Sequence, residues 1–305
     1  MPRILVTGAT GFIGRHCLPL LLARGFEVHA TTSKTRGAGE DLNWHAVDLL
    51  NREDARALLE KIQPTHLLHL AWYAEHGKYW ASPLNVDWAL ASIQLFRDFR
   101  ELGGQRFVGA GTCAEYEWLG QVCVEGGTSL NPSSPYGKCK LAVQKVLEAY
   151  AEISGLSAAW GRIFFVFGPG EQPQRLVPYL INSMLKGEKA QCVSSEQVRD
   201  FTYVTDVAEA FVSLVESAVS GPVNLASGQG LKIGDLAESI AKKLGTAHLL
   251  ELGSNVRKSD HVPSVVASID KITEEVGWKP SIGLDKGLVE TIQWWRENEN
   301  YDRHR

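Results

Sequence analysis

The sequence predicts an α/β protein, a doubly wound parallel sheet carrying a smaller, interleaved C-terminal α/β lobe. Three observations predict it. The chain opens on an apolar strand, Ile4, Leu5 and Val6, that runs into Gly8, Gly11 and Gly14 and then into an amphipathic run, Phe12, Ile13, Leu18, Leu20, Leu21 and Leu22. Strand and helix patterns then alternate, the signature of a parallel sheet with helices on both faces. After GRIFFVFGPG the rhythm changes to short segments broken by Gly, Pro and Gln.

Taken in order, apolar runs place strands at Ile4 to Thr7, Glu27 to Thr31, Trp44 to Val47, His66 to Leu70, Arg106 to Ala110 and Ser157 to Ile163. Helical spacing places helices between them at Phe12 to Arg24, Arg52 to Ile62, Asn85 to Leu102 and Pro135 to Ser154. The loop Gly168 to Gln174 leads to a helix near Leu176 to Lys186, then to short strands and loops up to about residue 200. Asp206 to Glu216 reads as a helix returning to the first domain and Pro222 to Leu225 as a short strand. An amphipathic helix at Ile233 to Leu244 and a closing one at Leu284 to Glu297 complete the chain. The expected division is a first domain over 1–165, rejoined by 201–226, and a smaller lobe built from 166–200 and 227–305. A ligand cleft belongs between them, at the carboxyl ends of the strands.

At 305 residues, 44% apolar and 22% charged, the composition is that of a soluble globular protein. A net charge of −4 with no basic tract gives no footprint for nucleic acid or an anionic membrane. No apolar run reaches the roughly 20 residues of a membrane helix, and the first strand begins too early for a signal peptide, so a cytoplasmic protein is expected. The five cysteines, Cys17, Cys113, Cys123, Cys139 and Cys192, form no CxxC pair. Their number and spacing fit reduced packing thiols, with no metal site, and Cys113, next to Thr112, is the one that stands as a candidate substrate contact.

Three glycines at a strand-to-helix turn let the backbone approach a ligand, and the helix start beyond them offers amides and a positive dipole end to a pyrophosphate. A dinucleotide site is therefore expected, centred on Gly8, Thr10, Gly11, Phe12, Ile13 and Gly14. In such a unit an acidic residue about 20 positions on grips the ribose of NAD, whereas a basic one accommodates the phosphate of NADP. Here the second strand runs into Thr31, Thr32, Ser33, Lys34, Thr35 and Arg36, with no carboxylate. Hydroxyls with Lys34 and Arg36 favour NADP(H), with NAD(H) possible if the two cations are only a solvated loop. Asp48, with Leu49 after it, faces two readings as well, an acceptor for the adenine amine or a turn cap.

Tyr136 and Lys140 stand at i and i+4 near the start of a helix and share one face. Half-ionising an ordinary phenol, pKa ~10, at neutral pH costs roughly 4 kcal/mol, which an ammonium and a cationic nicotinamide can supply. Such a tyrosine exchanges a proton with a carbonyl or hydroxyl oxygen while hydride moves at the adjacent carbon. Thr112, at the end of the fifth strand, is placed to be a second donor to that oxygen; its other reading is a cap or loop hydroxyl. An aromatic stretch, Trp72, Tyr73, Tyr79 and Trp80 with His76, follows the fourth strand. It either stacks on a sugar or packs against the second lobe.

These residues resemble the extended branch of the short-chain dehydrogenase/reductase superfamily, Rossmann-fold nucleotide-sugar epimerases, dehydratases and reductases that use NAD(P). The similarity spans nearly the whole chain through TGATGFIG, HLA, GTCAEY, PYGKCK, RIFFVFGPG, RDFTYVTDVAEAF, VNLASG and GWKPSIGLDKGLVETIQWW. The resemblance implies that Thr112, Tyr136 and Lys140 form the catalytic triad and that Lys140 also binds the nicotinamide ribose. It adds Leu70, Ala71, Ile163 and Phe164 to the coenzyme contacts. Arg199 matches an arginine that holds the substrate diphosphate, Arg257 matches a second less securely, and Arg175 is a third anion candidate, with Trp72 beside the sugar. Two departures matter. Where the dehydratases carry Asp-Glu after the triad hydroxyl, this chain has Cys113 and Ala114, with Glu115 one place late, which argues against dehydration. Phe165 replaces an asparagine that contacts substrate in many relatives.

The expected function is NADPH-dependent reduction of a keto group, the 4-keto of a nucleotide-linked deoxysugar, with Tyr136 as proton donor. The alternative is a 4-epimerase with tightly bound NAD, and a third class is a dinucleotide-binding or redox-sensing protein without catalysis. The resemblance also implies a homodimer through the Asn85 and Pro135 helices.

Overall fold

The computed structural model describes residues 1–33, 42–253 and 264–298. The strands are β1 (Arg3–Thr7), β2 (Glu27–Thr32), β3 (Asn43–Ala46), β4 (His66–His69), β5 (Arg106–Thr112), β6 (Val122–Cys123) and β7 (Ser157–Ile163). They continue as β8 (Phe165–Phe167), β9 (Ala190–Cys192), β10 (Val198–Tyr203), β11 (Gly221–Leu225), β12 (Gly230–Lys232), β13 (Leu250–Leu252) and β14 (Ser264–Ala267). The helices are α1 (Gly14–Ala23), α2 (Arg52–Ile62), α3 (Leu84–Glu101), α4 (Pro135–Ser154), α5 (Leu176–Leu185), α6 (Val204–Glu216), α7 (Ile233–Leu244) and α8 (Leu284–Glu297).

The main sheet has seven parallel strands in the order β11-β7-β5-β4-β1-β2-β3, so the order in which strands are added reverses between β1 and β4. Ligands bind at the carboxyl edge of such a reversal. Leu5 lies between Leu67 and His29 in register, and both faces of the sheet are apolar because both are covered. One face packs on α1 and α6 through Leu18, Leu21, Phe211 and Val215. The other packs on α2, α3 and α4 through Leu59, Phe96, Phe99, Val143 and Leu147. Local signals agree with these packings. The Asn51 side chain accepts the Glu53 and Asp54 amides at the start of α2, and Ser134 with Pro135 opens α4, which ends at Gly155 with φ 68°.

A second sheet, β12-β10-β14-β6 with β8 beside β10, stands at the carboxyl edge of the first. Strand β10 crosses the expected boundary at residue 201, and β6 comes from within the first 165 residues, so the two sheets are laced together. Helices α5, α7 and α8 bury Leu180, Ile181, Leu236, Ile240, Leu288 and Trp295 in a core of their own. All five cysteines are unpaired and four are buried. Among the described residues no helix is long and apolar enough to cross a membrane.

Candidate active site

The turn after β1 is built from close backbone contacts. Gly8 has φ 67°, and a Cβ on it would stand 2.7 Å from the Ala71 nitrogen; a Cβ on Gly14 would collide with the Gly8 carbonyl. The turn therefore presses against both the end of β4 and the start of α1. No side chain caps α1 and no acidic residue stands in its first turn, which leaves its positive end for an anion.

One cavity of about 1110 Å³ starts at this turn. It gathers Gly8, Thr10, Gly11, Phe12, Ile13 and Gly14 with the strand ends Thr32, Ser33, Asp48, Leu49, Leu70 and Ala71. The same cavity is lined by Trp72, Thr112, Tyr136, Lys140, Ile163, Phe164 and Arg175. Pockets for a single small ligand measure roughly 300–1,000 Å³, so the space admits a dinucleotide with a second ligand beside it. The glycine cradle and the uncapped helix fit its pyrophosphate. Asp48 lines the cavity and also accepts the Leu50 amide at 3.0 Å, so its turn-capping role is real whatever else it meets. Lys34, Arg36 and Arg257 lie outside the described residues.

At the far end Tyr136 is ringed edge-on by Tyr79 at 4.9 Å, Trp80 at 5.6 Å and Trp72 at 6.3 Å between ring centroids. Asn85 holds that aromatic loop: it accepts the Trp72 indole N–H at 2.9 Å and donates to the carbonyls of Tyr79 and Ser82. The aromatic stretch thus packs on the candidate acid/base itself. Tyr73 instead donates to Glu75 at the surface.

Thr112 and Tyr136 line the cavity together, and the Thr112 hydroxyl accepts the Ala114 amide at 3.2 Å, so it also caps the turn after β5. The sequence places Lys140 beside the phenol as its acidifying charge, but burial dominates both groups. It raises the Tyr136 phenol well above its ordinary range, with Tyr79 adding to the effect and Thr112 opposing it. It lowers Lys140 to about 7, against the attraction of Glu115. The Lys140 ammonium donates to the Ala110 carbonyl at 2.7 Å and sits 3.8 Å from the centroid of the Trp72 ring. The phenol is consequently held as a protonated donor at neutral pH.

Beneath Thr112 lies a buried polar cluster. Glu115, fully buried, accepts the Thr112 backbone N–H and the Trp160 indole N–H on Oε1, both at 2.9 Å, and pairs through Oε2 with Arg162 at 2.6 Å. Arg162 lies 4.5 Å from the Tyr116 ring centroid and reaches Gln144. The Trp160 indole crosses β5 at Gly109 and Gly111, where any Cβ would strike it. Glu115 therefore fixes the strand end that carries Thr112 and does not line the cavity.

Cys113, Phe165 and Arg199 also stand outside the cavity lining. Strand alternation explains Phe165: Phe164 and Val166 line the cavity, while Phe165 pairs in register with Phe201 in the second sheet. Arg199 is buried 5.5 Å from the Phe165 ring centroid and donates to the Val198 carbonyl and the Gln197 side chain. Cys113 is buried beside Tyr116 and Phe164. The three gather at the junction with the second sheet. Sequence reading missed Glu171, Gln172 and Gln174, which do line the cavity. The available signal was polar residues set among Gly and Pro in the loop leading to Arg175.

Comparison with known proteins gives this geometry its context. Residues 4–226 match the model of the NAD dependent epimerase/dehydratase family. The chain is 27% identical to UDP-glucuronic acid decarboxylase 1 of Xenopus tropicalis over 97% of its own length and 72% of that protein. Its fold is similar to the UDP-glucose 4-epimerase of Thermus thermophilus in complex with NAD, with TM-score 0.84, 27% identity, and 96% and 99% of the two chains covered. It is also similar to the UDP-N-acetylglucosamine 4-epimerase of Methanobrevibacter ruminantium in complex with UDP-N-acetylmuramic acid, with TM-score 0.88, 26% identity, and 97% and 99% covered. With the glycine turn, the parallel sheet and the Thr112, Tyr136 and Lys140 cleft already in place, the chain belongs to the NAD dependent epimerase/dehydratase family, enzymes of the extended short-chain dehydrogenase/reductase type.

Proposed function

We propose that this enzyme reduces a keto group on a nucleotide-linked deoxysugar, at the 4-position, with NADPH as reductant and Tyr136 as proton donor. The observation that supports it most is the single cleft in which Thr112, Tyr136 and Lys140 meet the glycine turn. A protonated phenol suits reduction, whereas oxidation of a sugar hydroxyl needs a phenolate first. The nicotinamide coenzyme, when bound, supplies the hydride. Thr112 and Tyr136 then hold the oxygen between two donors, and Tyr136 protonates it as charge develops. Lys140, which donates to the Ala110 carbonyl and lines the cleft, is placed to bind a ribose hydroxyl. Arg175, which lines the cleft, is proposed to meet the substrate's diphosphate. Catalysis is tested by incubating the protein with NADPH and a nucleotide-linked 4-ketosugar. One coenzyme is expected to be consumed per sugar reduced.

The second reading, a 4-epimerase, is favoured by the two similar epimerase structures, one of which holds NAD. It predicts interconversion of two nucleotide sugars with no net change in nicotinamide absorbance.

The proposed NADP preference rests on the end of β2, where Thr32 and Ser33 line the cavity without a carboxylate and the sequence continues into Lys34 and Arg36. Replacing Lys34 and Arg36 with alanine is expected to lower the NADPH-over-NADH preference by roughly 10- to 100-fold, as charge-assisted hydrogen bonds contribute about 1.5–3 kcal/mol. An unchanged ratio of binding constants would return the loop to a solvated surface.

A homodimer through α3 and α4 is also proposed, because Val86 and Leu90 on α3 and Val146 and Ile153 on α4 leave apolar side chains exposed on adjoining helices. Light scattering should find a dimer that Leu90→Glu weakens or splits. A monomeric wild type would exclude it.

A further inference from the structure

We propose that Glu171 is a ligand-recognition residue whose carboxyl group pairs with a sugar hydroxyl in the cleft. The assignment rests on reading the cleft as a coenzyme and nucleotide-sugar site, and it extends that reading to a loop that none of the triad residues occupies.

The argument begins with how this chain treats buried acids. Among the described residues Asp98, Glu115, Glu171, Asp200 and Asp206 are buried. Asp98 pairs with Arg52 and Arg56, and Glu115 with Arg162. Asp200 accepts from the Ser227 hydroxyl and from the amides of Ser227, Gly228 and Ala267. Asp206 accepts from the Ser281 hydroxyl and the Ile282 amide. Glu171 alone of the five has a fully buried oxygen, Oε2, with no hydrogen-bond partner, although its side chain lines the cavity and only 7% of the residue is exposed.

An unpaired buried acid opposes folding, so a carboxyl kept in that state is not there to hold the loop. The loop is held by its neighbour. Gln172 accepts the His76 amide at 3.1 Å and donates to the Ala74 carbonyl at 3.2 Å, tying the two walls of the cleft together. Arg175, whose positive charge acts on Glu171, has its guanidinium 5.5 Å from the Tyr79 ring centroid, and Tyr79 packs on Tyr136. Glu171 thus faces the cleft from the loop that carries Arg175. Burial pushes its carboxyl up to about 8 despite Arg175, so at neutral pH it carries a proton and both donates and accepts, as a hydroxyl partner requires. The proposed ligands offer two such hydroxyl-bearing groups, the hexose of the substrate and the coenzyme's nicotinamide ribose.

The test compares wild type with Glu171→Leu and Glu171→Gln, by thermal denaturation without ligand and by calorimetric affinities for NADPH, UDP and UDP-glucose. Glu171→Leu is expected to melt no lower than wild type, because an unpaired polar group gives way to an apolar one, and to lose about tenfold in affinity for one probe. Loss for UDP-glucose with UDP unchanged identifies the hexose, and loss for NADPH identifies the ribose. Glu171→Gln, which can still bond a hydroxyl, should recover part of that loss. Unchanged affinity for both ligands, or a lowered melting temperature in both variants, would overturn the assignment. A wild type that binds these probes without consuming NADPH would fail the proposed reaction and leave Glu171 standing; one that binds none of them would sink both.

Discussion

Tyr136→Phe is expected to lower turnover by roughly 10²- to 10⁴-fold while coenzyme affinity stays within about twofold, because the change removes only the group that exchanges the proton. The ring keeps its edge-on contacts with Tyr79, Trp80 and Trp72, so the fold has no reason to yield. Lys140 keeps its bond to the Ala110 carbonyl and its place over Trp72. Thr112 alone would then face the substrate oxygen, a single hydroxyl without an acid beside it. Steady-state rates and coenzyme titration on the same preparation separate the two effects. Unaltered turnover would reduce Tyr136 to a packing residue and with it the proposed reaction.

The second large effect is structural. Glu115→Ala is expected to destabilise the protein by about 3–5 kcal/mol in urea unfolding, because it strands the Arg162 guanidinium, 1% exposed, without its counter-charge. It also removes the acceptor from the Thr112 amide and the Trp160 indole. Exchanging both partners, Glu115→Leu with Arg162→Met, should restore much of the stability, since no buried charge is left unpaired. Activity of that double variant should remain low, as the end of β5 that carries Thr112 has lost its anchor. A loss under about 1 kcal/mol for Glu115→Ala would show that the pair does not hold this part of the core.

How much of this was legible in the sequence varies from element to element. Helix α4 is found at Pro135–Ser154 as read, because its serine cap, its first-turn proline and the glycine beyond its end are all local signals. Helix α1 begins at Gly14 rather than Phe12, since the turn uses the residues before it for backbone contacts with β4. The two-residue strand β6 and strand β13 were not read, and β9 only as one of the unplaced short strands before residue 200, because so few residues show no period, and their partners lie far away in the chain. In the site, the glycine turn and the Tyr136 and Lys140 pair were readable from their spacing together with the strand and helix patterns around them. The place of Phe165 was not: a strand sends neighbours to opposite faces, and only the pairing of β8 with β10 decides which residue meets the cavity.

What the sequence determined by itself is whatever depends on neighbours within one turn or one strand: the alternating elements, the glycine cradle, and a phenol and an ammonium on one helical face. Tertiary structure decided the rest, because the state of a buried group depends on partners distant in sequence. Glu115 and Glu171 look alike as letters, both acids beside small residues. One meets Arg162 across a strand and becomes part of the core, while the other meets no partner for Oε2 and faces the cleft.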